Sequence, residues 1–472
     1  MQIQKTFLFI IGVIALLAVI CAFFPEDGIT IGDNSLYFPS IEEIMNDSDG
    51  HSTAATERIK RMEESLRIQQ YQDSVYADSM AIFQHFFETH PSRIRLPENN
   101  WRYFHDLFES FDSCRVRKKV IHILHYGDSQ IEGDRITGFI RQELQEKFGG
   151  NGPGLLPAVQ VIPSAAVGQT ASENIARYII AGSHKNQAPH RRYGALGQVG
   201  MFSGHASIGV NARNNKNTYE NVKSFRKIRL FVGKSNPKFK ATLSIGNKQP
   251  KAAVFGSTVK TFTWNLGAPI KQFKLQLTGS GEIYGLSVDG ESGVAVDNIP
   301  FRGSSGTFFS TMDSEVLQSM YKTLNVGLIL LEFGGNVMPS IKNEKQILSY
   351  KETISKQIAY LKRIHPQAKI ILIGPADMSK KVAGKLQTYP HLEEVVCALE
   401  EAALQSGAGY WNMYDVMGGQ NSMIDWVKSS PKLAAPDYIH FTNRGAERIA
   451  HLFYESLMRH YDYYRFDLSH SK

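Results

Sequence analysis

The chain has 472 residues, too many for one ordinary domain, and its 42% hydrophobic and 21% charged residues are typical of a globular protein. The formal net charge of +7 is modest and no block of Lys or Arg stands out, so the composition argues against nucleic-acid binding. A basic surface would equally suit a polyanionic cell-wall polymer or an anionic membrane. Cys21, Cys114 and Cys397 form no metal-binding pattern with histidines and allow at most one internal disulfide in a folded region.

The first predicted element is an apolar run without charged residues over 7–24. It is short for a membrane span and long for the core of a signal peptide; Lys5 precedes it, and Glu26 and Asp27 follow it. We predict a signal anchor that crosses the membrane within residues 1–25, with a cleaved signal peptide as the alternative. Both predict an exported, periplasmic or extracytoplasmic protein, and the anchor would hold it on the cytoplasmic membrane.

Residues 26–95 are predicted to be a linker followed by a helical stalk. The linker contains Pro, Gly and Asp and lacks any periodicity, whereas residues 53–90 are polar and predict a solvated helix. The stalk is expected to end at His90-Pro91, because the residue before a proline disfavours the helical conformation.

From about residue 96 apolar strands alternate with helical segments. Four runs predict buried parallel strands, at 120–126, 326–333, 369–373 and 410–414. Helical patterns occupy 136–148, 349–364, 391–405 and 443–460. This alternation predicts a doubly wound α/β domain with a parallel sheet flanked by helices, made of residues 96–160 and 296–472.

The interval 161–295 breaks this pattern. Short alternating runs at 227–232, 241–245, 261–264 and 273–277 are separated by turns rich in Gly, Asn, Ser and Pro. Such runs predict an all-β sandwich inserted into the α/β domain. The alternative is a β-rich loop region without a core of its own.

Three separated blocks contain residues suited to acyl transfer. Ser129, in Gly-Asp-Ser, follows the first strand on a tight turn, where a nucleophile can be presented. Asn336 follows a second strand in Gly-Gly-Asn, and Asp437 stands three residues before His440 near the C-terminus. Each block alone is a weak signal, but their order and their placement after strands favour one shared site.

In this order the blocks resemble the SGNH, or GDSL, hydrolase superfamily. The resemblance implies a flavodoxin-like fold in which Ser129 is the nucleophile, His440 the general base and Asp437 the carboxylate that orients the imidazole. It also implies an oxyanion hole formed by the Asn336 side chain and by the backbone N–H groups of Ser129 and a glycine. We assign that glycine to Gly303, with Gly306 as the alternative.

Chemistry supports these roles independently of the resemblance. A serine hydroxyl needs a base to become nucleophilic, and an imidazole can take the proton near neutral pH. The tetrahedral intermediate needs donors directed at its oxygen. No cofactor or metal is predicted: His122 and His125 lie three apart on a strand, so they point to opposite faces and are predicted to be structural.

Two further patterns have ordinary explanations. Residues 149–154, which contain four glycines, lack the Lys-Ser/Thr pair of a phosphate-binding loop, and we predict a flexible loop at the edge of the site. The aromatic tract 410–415 is predicted to pack in the core rather than to line a sugar cleft.

The distance in sequence between Ser129 and Asn336 exceeds that in compact members of the superfamily. With an inserted module between them, the chain is similar to the peptidoglycan O-acetylesterases of bacterial cell envelopes, which carry a carbohydrate-binding-like sandwich. The resemblance implies a serine acetylesterase acting on a cell-envelope polysaccharide, peptidoglycan in particular. Two alternatives remain open: an O-acetyltransferase acting on an envelope polysaccharide or exopolysaccharide, and a catalytically inert carbohydrate-binding assembly protein.

Overall fold

The computed structural model of the chain describes Val19 and residues 29–31, 34–36, 56–65, 79–181, 186–214, 218–233, 239–255 and 260–470. The chain divides into two compact units. One contains Met1–Val75 and Ile424–Leu433, and the other contains Tyr76–Met423 and Ala434–Lys472.

In the first unit, strands β1 (Ile29–Ile31) and β2 (Asn34–Leu36) form an antiparallel pair. Residues 56–65 are helical, and Arg58 forms a 2.8 Å ion pair with Asp425. Within the described ranges, no helix has the length and apolar character needed to cross a membrane. The predicted anchor over 7–24 lies, apart from Val19, outside the described residues, and the structure gives it no support.

The second unit begins with helix α1, Ser79–Thr89. Its aromatic side chains Phe83, Phe86 and Phe87 are buried and cluster with Tyr463. The prediction that residues 53–90 form a solvated stalk is therefore wrong for this part, because the aromatic face of α1 has a packing partner near the C-terminus.

A six-stranded sheet lies at the centre of the second unit. Its strands are β3 Ile94–Arg95, β4 Val120–Gly127, β14 Gly293–Pro300, β15 Val326–Glu332, β16 Lys369–Ile373 and β19 Gly409–Trp411. Their order across the sheet is β14-β4-β15-β16-β19-β3; the first five are parallel, and β3 pairs antiparallel with β19. When the parallel strands are numbered along the chain, this order is the 2-1-3-4-5 arrangement of flavodoxin-like sheets, as the resemblance implied.

Helices connect these strands. Asp313 caps the helix before β15 by accepting a hydrogen bond from the Val316 N–H, and Asn343 caps the helix after β15 by accepting one from the Gln346 N–H. The helices are α2 His105–Ser113, α3 Thr137–Phe148, α4 Ser314–Leu324, α5 Glu344–Ile364, α6 Leu392–Gln405, α7 Met413–Met417, α8 Ser422–Lys428 and α9 Asn443–His470.

The predicted strand over 410–414 is correct only at its start. Asn412 ends the strand because its side chain accepts a hydrogen bond from the Asp415 N–H and so caps α7. The aromatic tract packs in the core as predicted, since Tyr410 and Trp411 are fully buried.

Between α3 and β14 the chain forms a nine-stranded antiparallel sheet, called the insertion below. Its strands are β5 Gly154–Leu156, β6 Val167–Ala171, β7 Ile175–Ile179, β8 Gln198–Ala212, β9 Phe225–Val232, β10 Phe239–Ser244, β11 Lys251–Phe255, β12 Thr261–Ile270 and β13 Gln272–Asp289. The long strand β13 changes partners along its length: its first part pairs with β8 and β10, and its last part pairs with β5 and β9.

The insertion encloses a hydrophobic cluster of its own, which excludes the alternative of a coreless loop region. It also contributes to the main core: Leu196, Phe231 and Tyr284 belong to the same buried cluster as Tyr126 and Phe301. Its sheet begins and ends before the predicted limits 161 and 295. These domain limits stay predictions, because the insertion and the α/β part belong to one compact unit.

The two ends of the insertion are hydrogen-bonded to each other. The Gly290 N–H donates to the Asn151 carbonyl at 2.7 Å, and the Val294 N–H donates to the Gly149 carbonyl at 2.8 Å. A Cβ at Gly150 would lie 2.2 Å from the Val294 carbonyl oxygen, so this close approach requires glycine. The prediction of a flexible loop at the edge of the site is wrong, because Gly150 and Gly154 pack against β14 and Gly152 packs against the end of β13.

A last antiparallel pair, β17 (Ser379–Val382) and β18 (Lys385–Thr388), lies between β16 and α6.

Candidate active site

Ser129 lies at the carboxyl end of β4, at the edge of the sheet where parallel α/β folds bind ligands. The chain leaves β4 at Gly127, passes Asp128 and enters a 3₁₀ turn over Ser129–Asp134. The Asp128 carboxylate caps this turn by accepting a hydrogen bond from the Gln130 N–H at 2.9 Å. The turn presents the serine at the surface, and the side chain of Ser129 is only partly buried.

The structure brings Ser129, His440 and Asp437 into one hydrogen-bonded chain. The Ser129 hydroxyl donates to His440 Nε2 at 2.9 Å, and His440 Nδ1 donates to the Asp437 carboxylate at 2.7 Å. The other Asp437 oxygen accepts from the backbone N–H groups of Ile439 and His440, at 3.0 Å each. This is the order of contacts that lets an imidazole take a serine proton while a carboxylate fixes its tautomer.

The surroundings keep Asp437 ionised. Partial burial raises its pKa, but the hydrogen bonds from the His440 ring and from the two backbone N–H groups outweigh this effect and hold the pKa of Asp437 below its usual value. Near neutral pH the carboxylate is therefore negative and suited to stabilising an imidazolium on His440.

Two side chains that the sequence did not single out connect residues 437–441, called the histidine segment below, to the 3₁₀ turn Ser129–Asp134, called the serine turn below. Gln130 donates from its amide to the Ile439 carbonyl at 2.7 Å and accepts from the Phe441 N–H at 3.3 Å, so it holds both neighbours of His440. Arg135 donates to the Ser129 carbonyl at 2.6 Å and to the Phe441 carbonyl at 3.0 Å. Together they fix the distance between Ser129 and His440.

Asn336 lies beyond the end of β15 and faces the same pocket. Its side-chain amide donates to the Asp128 carboxylate at 2.7 Å and to the Ser304 carbonyl at 3.3 Å. Asp128 therefore orients Asn336 as well as capping the serine turn, a role that no pattern in the sequence signals.

The two candidate glycines differ in position. Gly303 lines the pocket with Ser129 and Asn336, and a Cβ on it would meet no atom within 4 Å. The Gly306 N–H already donates to the Ser304 hydroxyl at 3.1 Å. These contacts favour Gly303 as the backbone donor, which stays a prediction.

The pocket over the serine has a volume of about 770 Å³, far more than an acetyl group needs. Its floor holds the buried Glu332, which contacts His125 Nε2 at 3.1 Å. The walls come from the serine turn, a loop of the insertion, the loops after β14, β15, β16 and β18, the start of α7, and the histidine segment. They include Glu132, Arg135, Ile162, Pro163, Arg302, Phe333, Pro375, Met378, Tyr389, Met413 and Ile439.

Burial is the largest influence on Asp128 and raises its pKa to about 7, and the nearby Glu332 carboxylate adds to this rise. The hydrogen bond from Gln130, the charge of His440 and the Asn336 amide act in the opposite direction. Asp128 thus titrates in the range where such a site would operate.

His122 and His125 are both fully buried and have different partners. His122 contacts Asp297 at 2.7 Å and Arg229 at 2.8 Å, whereas His125 contacts Glu332 and the Thr137 hydroxyl. In the described ranges, no group of three His, Cys, Asp or Glu side chains is arranged to hold a metal ion. Cys114 and Cys397 are both free thiols.

No protein-family model and no curated protein sequence matches this chain. Among solved structures, a peptidoglycan O-acetylesterase matches with a TM-score of 0.61 at 20% identity, over 77% of this chain and 96% of that one. The chain shares the overall fold of that protein, which confirms the predicted resemblance at the level of the fold.

Two other esterase structures match more weakly. A family two carbohydrate esterase from Cellvibrio japonicus has a TM-score of 0.25 at 11% identity, over 63% of this chain and 98% of that one. An acetyl xylan esterase has a TM-score of 0.28 at 11% identity, over 35% of this chain and 81% of that one. Scores this low do not indicate a shared overall fold.

Proposed function

We propose that the protein is a serine esterase that removes O-acetyl groups from a cell-envelope polysaccharide, peptidoglycan in particular. The observation that carries this proposal is the hydrogen-bonded series Ser129–His440–Asp437 beside the Asn336 amide. The fold shared with a peptidoglycan O-acetylesterase supports the choice of substrate.

In the proposed mechanism the hydroxyl oxygen of Ser129 attacks the acetyl carbonyl while His440 takes the hydroxyl proton. The N–H groups of Ser129 and Gly303 and the amide of Asn336 stabilise the oxyanion that forms. His440 then donates the proton to the departing sugar oxygen, which leaves an acetyl group on Ser129. Water, deprotonated by His440, then attacks this acyl-enzyme; the bond to Ser129 breaks, acetate leaves, and His440 returns the proton to the Ser129 oxygen. Asp437 stabilises the imidazolium in both steps.

The test is labelling of Ser129 by a fluorophosphonate probe, combined with acetate release from a panel of acetylated glycans. Ser129→Ala and His440→Ala are each expected to abolish turnover of p-nitrophenyl acetate, and Asp437→Asn to lower it severely, because the three residues act as one unit. Labelling of Ser129 without acetate release from any glycan would favour transfer to another acceptor. Near wild-type turnover by Ser129→Ala would contradict the mechanism.

The proposed location is outside the cytoplasmic membrane, on the evidence of the apolar run over 7–24. An alkaline phosphatase fusion after residue 60 is expected to be active in bacteria, because this reporter folds only after export. Activity of a cytoplasmic reporter at the same position would contradict an exported enzyme.

A further inference from the structure

A second, smaller cavity adjoins the active-site pocket. It shares Gly133, Ile162 and Pro163 with that pocket, and its far wall is formed by the insertion. Its volume is about 70 Å³. A single buried water needs roughly 10–15 Å³, so the cavity has room for a carboxylate with a few waters.

Arg177, on β7 of the insertion, lines this cavity and is partly buried. Its Nε donates to the Gln198 side-chain oxygen at 2.8 Å, which fixes the guanidinium and leaves its terminal nitrogens to other partners. Among the described residues, no carboxylate forms an ion pair with it, and burial alone lowers its pKa. A partly desolvated cation without a counter-charge favours an anionic ligand.

The other charged groups of the cavity wall neutralise each other. Asp134 accepts from Arg141 at 2.8 Å with one oxygen and from the Ser164 hydroxyl at 2.6 Å with the other. Arg177 is therefore the cation of this wall that has no anion beside it.

The side-chain amides of Gln198 and Asn298 also line the cavity, and their nitrogens can donate hydrogen bonds to a ligand. The Gln198 oxygen is occupied by Arg177, and the Asn298 oxygen accepts from the Thr137 hydroxyl at 2.9 Å. Their amide nitrogens, together with the Arg177 guanidinium, provide a set of donors suited to a carboxylate.

We propose that this cavity is a subsite for a carboxylate of the substrate, so that the enzyme prefers acetylated glycans that carry acidic groups near the ester. This rests on the proposed esterase function, because the ester would lie at Ser129 while the carboxylate lies at Arg177. Two sources share this chemistry: a uronic acid in the glycan, and the lactyl or peptide carboxylates of peptidoglycan.

The test measures binding in a Ser129→Ala background, so that it does not depend on turnover. Calorimetry compares soluble fragments of O-acetylated peptidoglycan with O-acetylated polygalacturonate, each before and after carbodiimide amidation of its carboxylates. Arg177→Gln is expected to weaken binding of an unmodified polymer on the order of tenfold and to leave binding of its amidated form unchanged. The polymer that shows this effect identifies the source of the carboxylate.

The matched control is Arg226→Gln, which removes one exposed cation from the insertion away from the cavity. If Arg226→Gln weakened binding as much as Arg177→Gln does, the effect would come from net charge alone and the subsite proposal would be overturned. The proposal would also be overturned if the Arg177→Gln variant bound both unmodified polymers as tightly as the protein with Arg177. Circular dichroism checks that each variant is folded. If the wild type instead binds acidic polymers through Arg177 but releases no acetate from any ester, the esterase proposal fails and the subsite stands.

Discussion

Asn336 has both amide hydrogens engaged in the structure, and the two bonds differ in length. The bond to Asp128 is 2.7 Å and holds the amide in place, whereas the bond to the Ser304 carbonyl is 3.3 Å and is the one that an oxyanion would replace. Asn336→Ala is therefore expected to lower kcat on the order of 100-fold with little change in KM, because the charge develops only in the transition state. Steady-state kinetics on p-nitrophenyl acetate checks this. A change in KM alone would instead place Asn336 in substrate binding.

Asp128 makes stability depend on pH. Its pKa is about 7 in the folded protein, whereas an aspartate in an unfolded chain titrates near about pH 3.9. Between these values the folded state binds more protons, so the free energy of unfolding falls as pH rises, by up to about 1.4 kcal/mol per pH unit. In Asp128→Asn this contribution is absent.

We compare the free energy of unfolding of Asp128→Asn with that of the wild type. This difference is expected to shift in favour of Asp128→Asn when the pH is raised from about 4.5 to about 7. Urea titrations at both pH values measure the difference in free energy of unfolding. Asp106→Asn is the control, since the side chain of Asp106 is 85% exposed. The same difference at both pH values would show that Asp128 does not titrate in this range.

At the scale of single residues, the sequence predicts which side chains the candidate site brings together, but not the side chains that hold them in place. Ser129, Asn336 and His440 stand out because each follows an apolar strand or opens the last helix in a known order. Gln130 and Arg135 contact the histidine segment across more than 300 positions of sequence, and no local pattern signals such contacts. The same holds for the bond between Asp128 and Asn336.

Among the elements, β9 is fixed to the central sheet by a buried ionic network. Arg229 on β9 contacts Asp289 and His122 at 2.8 Å each and donates to the Thr323 carbonyl at 2.7 Å. His122 in turn contacts Asp297 on β14. Asp289, His122 and Asp297 are all fully buried, so their polar groups depend on one another.

Arg229→Met is expected to lower the free energy of unfolding by about 3–5 kcal/mol, because it removes one of the two cations beside the buried Asp289 carboxylate and leaves only His122 there, and because the Thr323 carbonyl loses its donor. Urea unfolding followed by tryptophan fluorescence measures this. Arg226→Met, on the same strand with a side chain 46% exposed, should change stability little. If the two substitutions lowered the free energy of unfolding by similar amounts, the buried network would make no specific contribution to stability.

Apolar runs predicted four strands of the central sheet, but β14 was not among them. Asp297 and Asn298 lie within β14, and their polarity hides a strand whose carboxylate is satisfied by His122 and by the Leu155 N–H. In α1 the error had the opposite cause: polar neighbours suggested a solvated helix, although one face carries three phenylalanines. In both cases a packing or hydrogen-bonding partner that lies far away in sequence determines how the segment is buried, so the local sequence pattern does not predict it.

For the whole molecule, the shared core makes the insertion inseparable from the α/β part. Replacing residues 152–289 by a short linker from Asn151 to Gly290 would remove Leu196, Phe231 and Tyr284 from the main hydrophobic cluster. We expect this variant to lose its cooperative unfolding transition, as followed by circular dichroism. As a control, shortening the exposed turn 246–249 between β10 and β11 should be tolerated. A folded deletion variant with one sharp transition would show that the insertion is a separable domain.

The hydrogen bonds between the two ends of the insertion also bear on how the central sheet assembles. In the unfolded chain, β4 and β14 are separated by the entire insertion, and closing such a loop costs entropy that rises with the logarithm of its length. Once the insertion has folded, its ends meet and the connection reduces to α3 and its flanking turns, an ordinary β–α–β crossover. A long-range pairing thus becomes a local one, and β14 should join the sheet only after the insertion has formed. Pulsed hydrogen exchange would contradict this if the β14 amides were protected before those of β13.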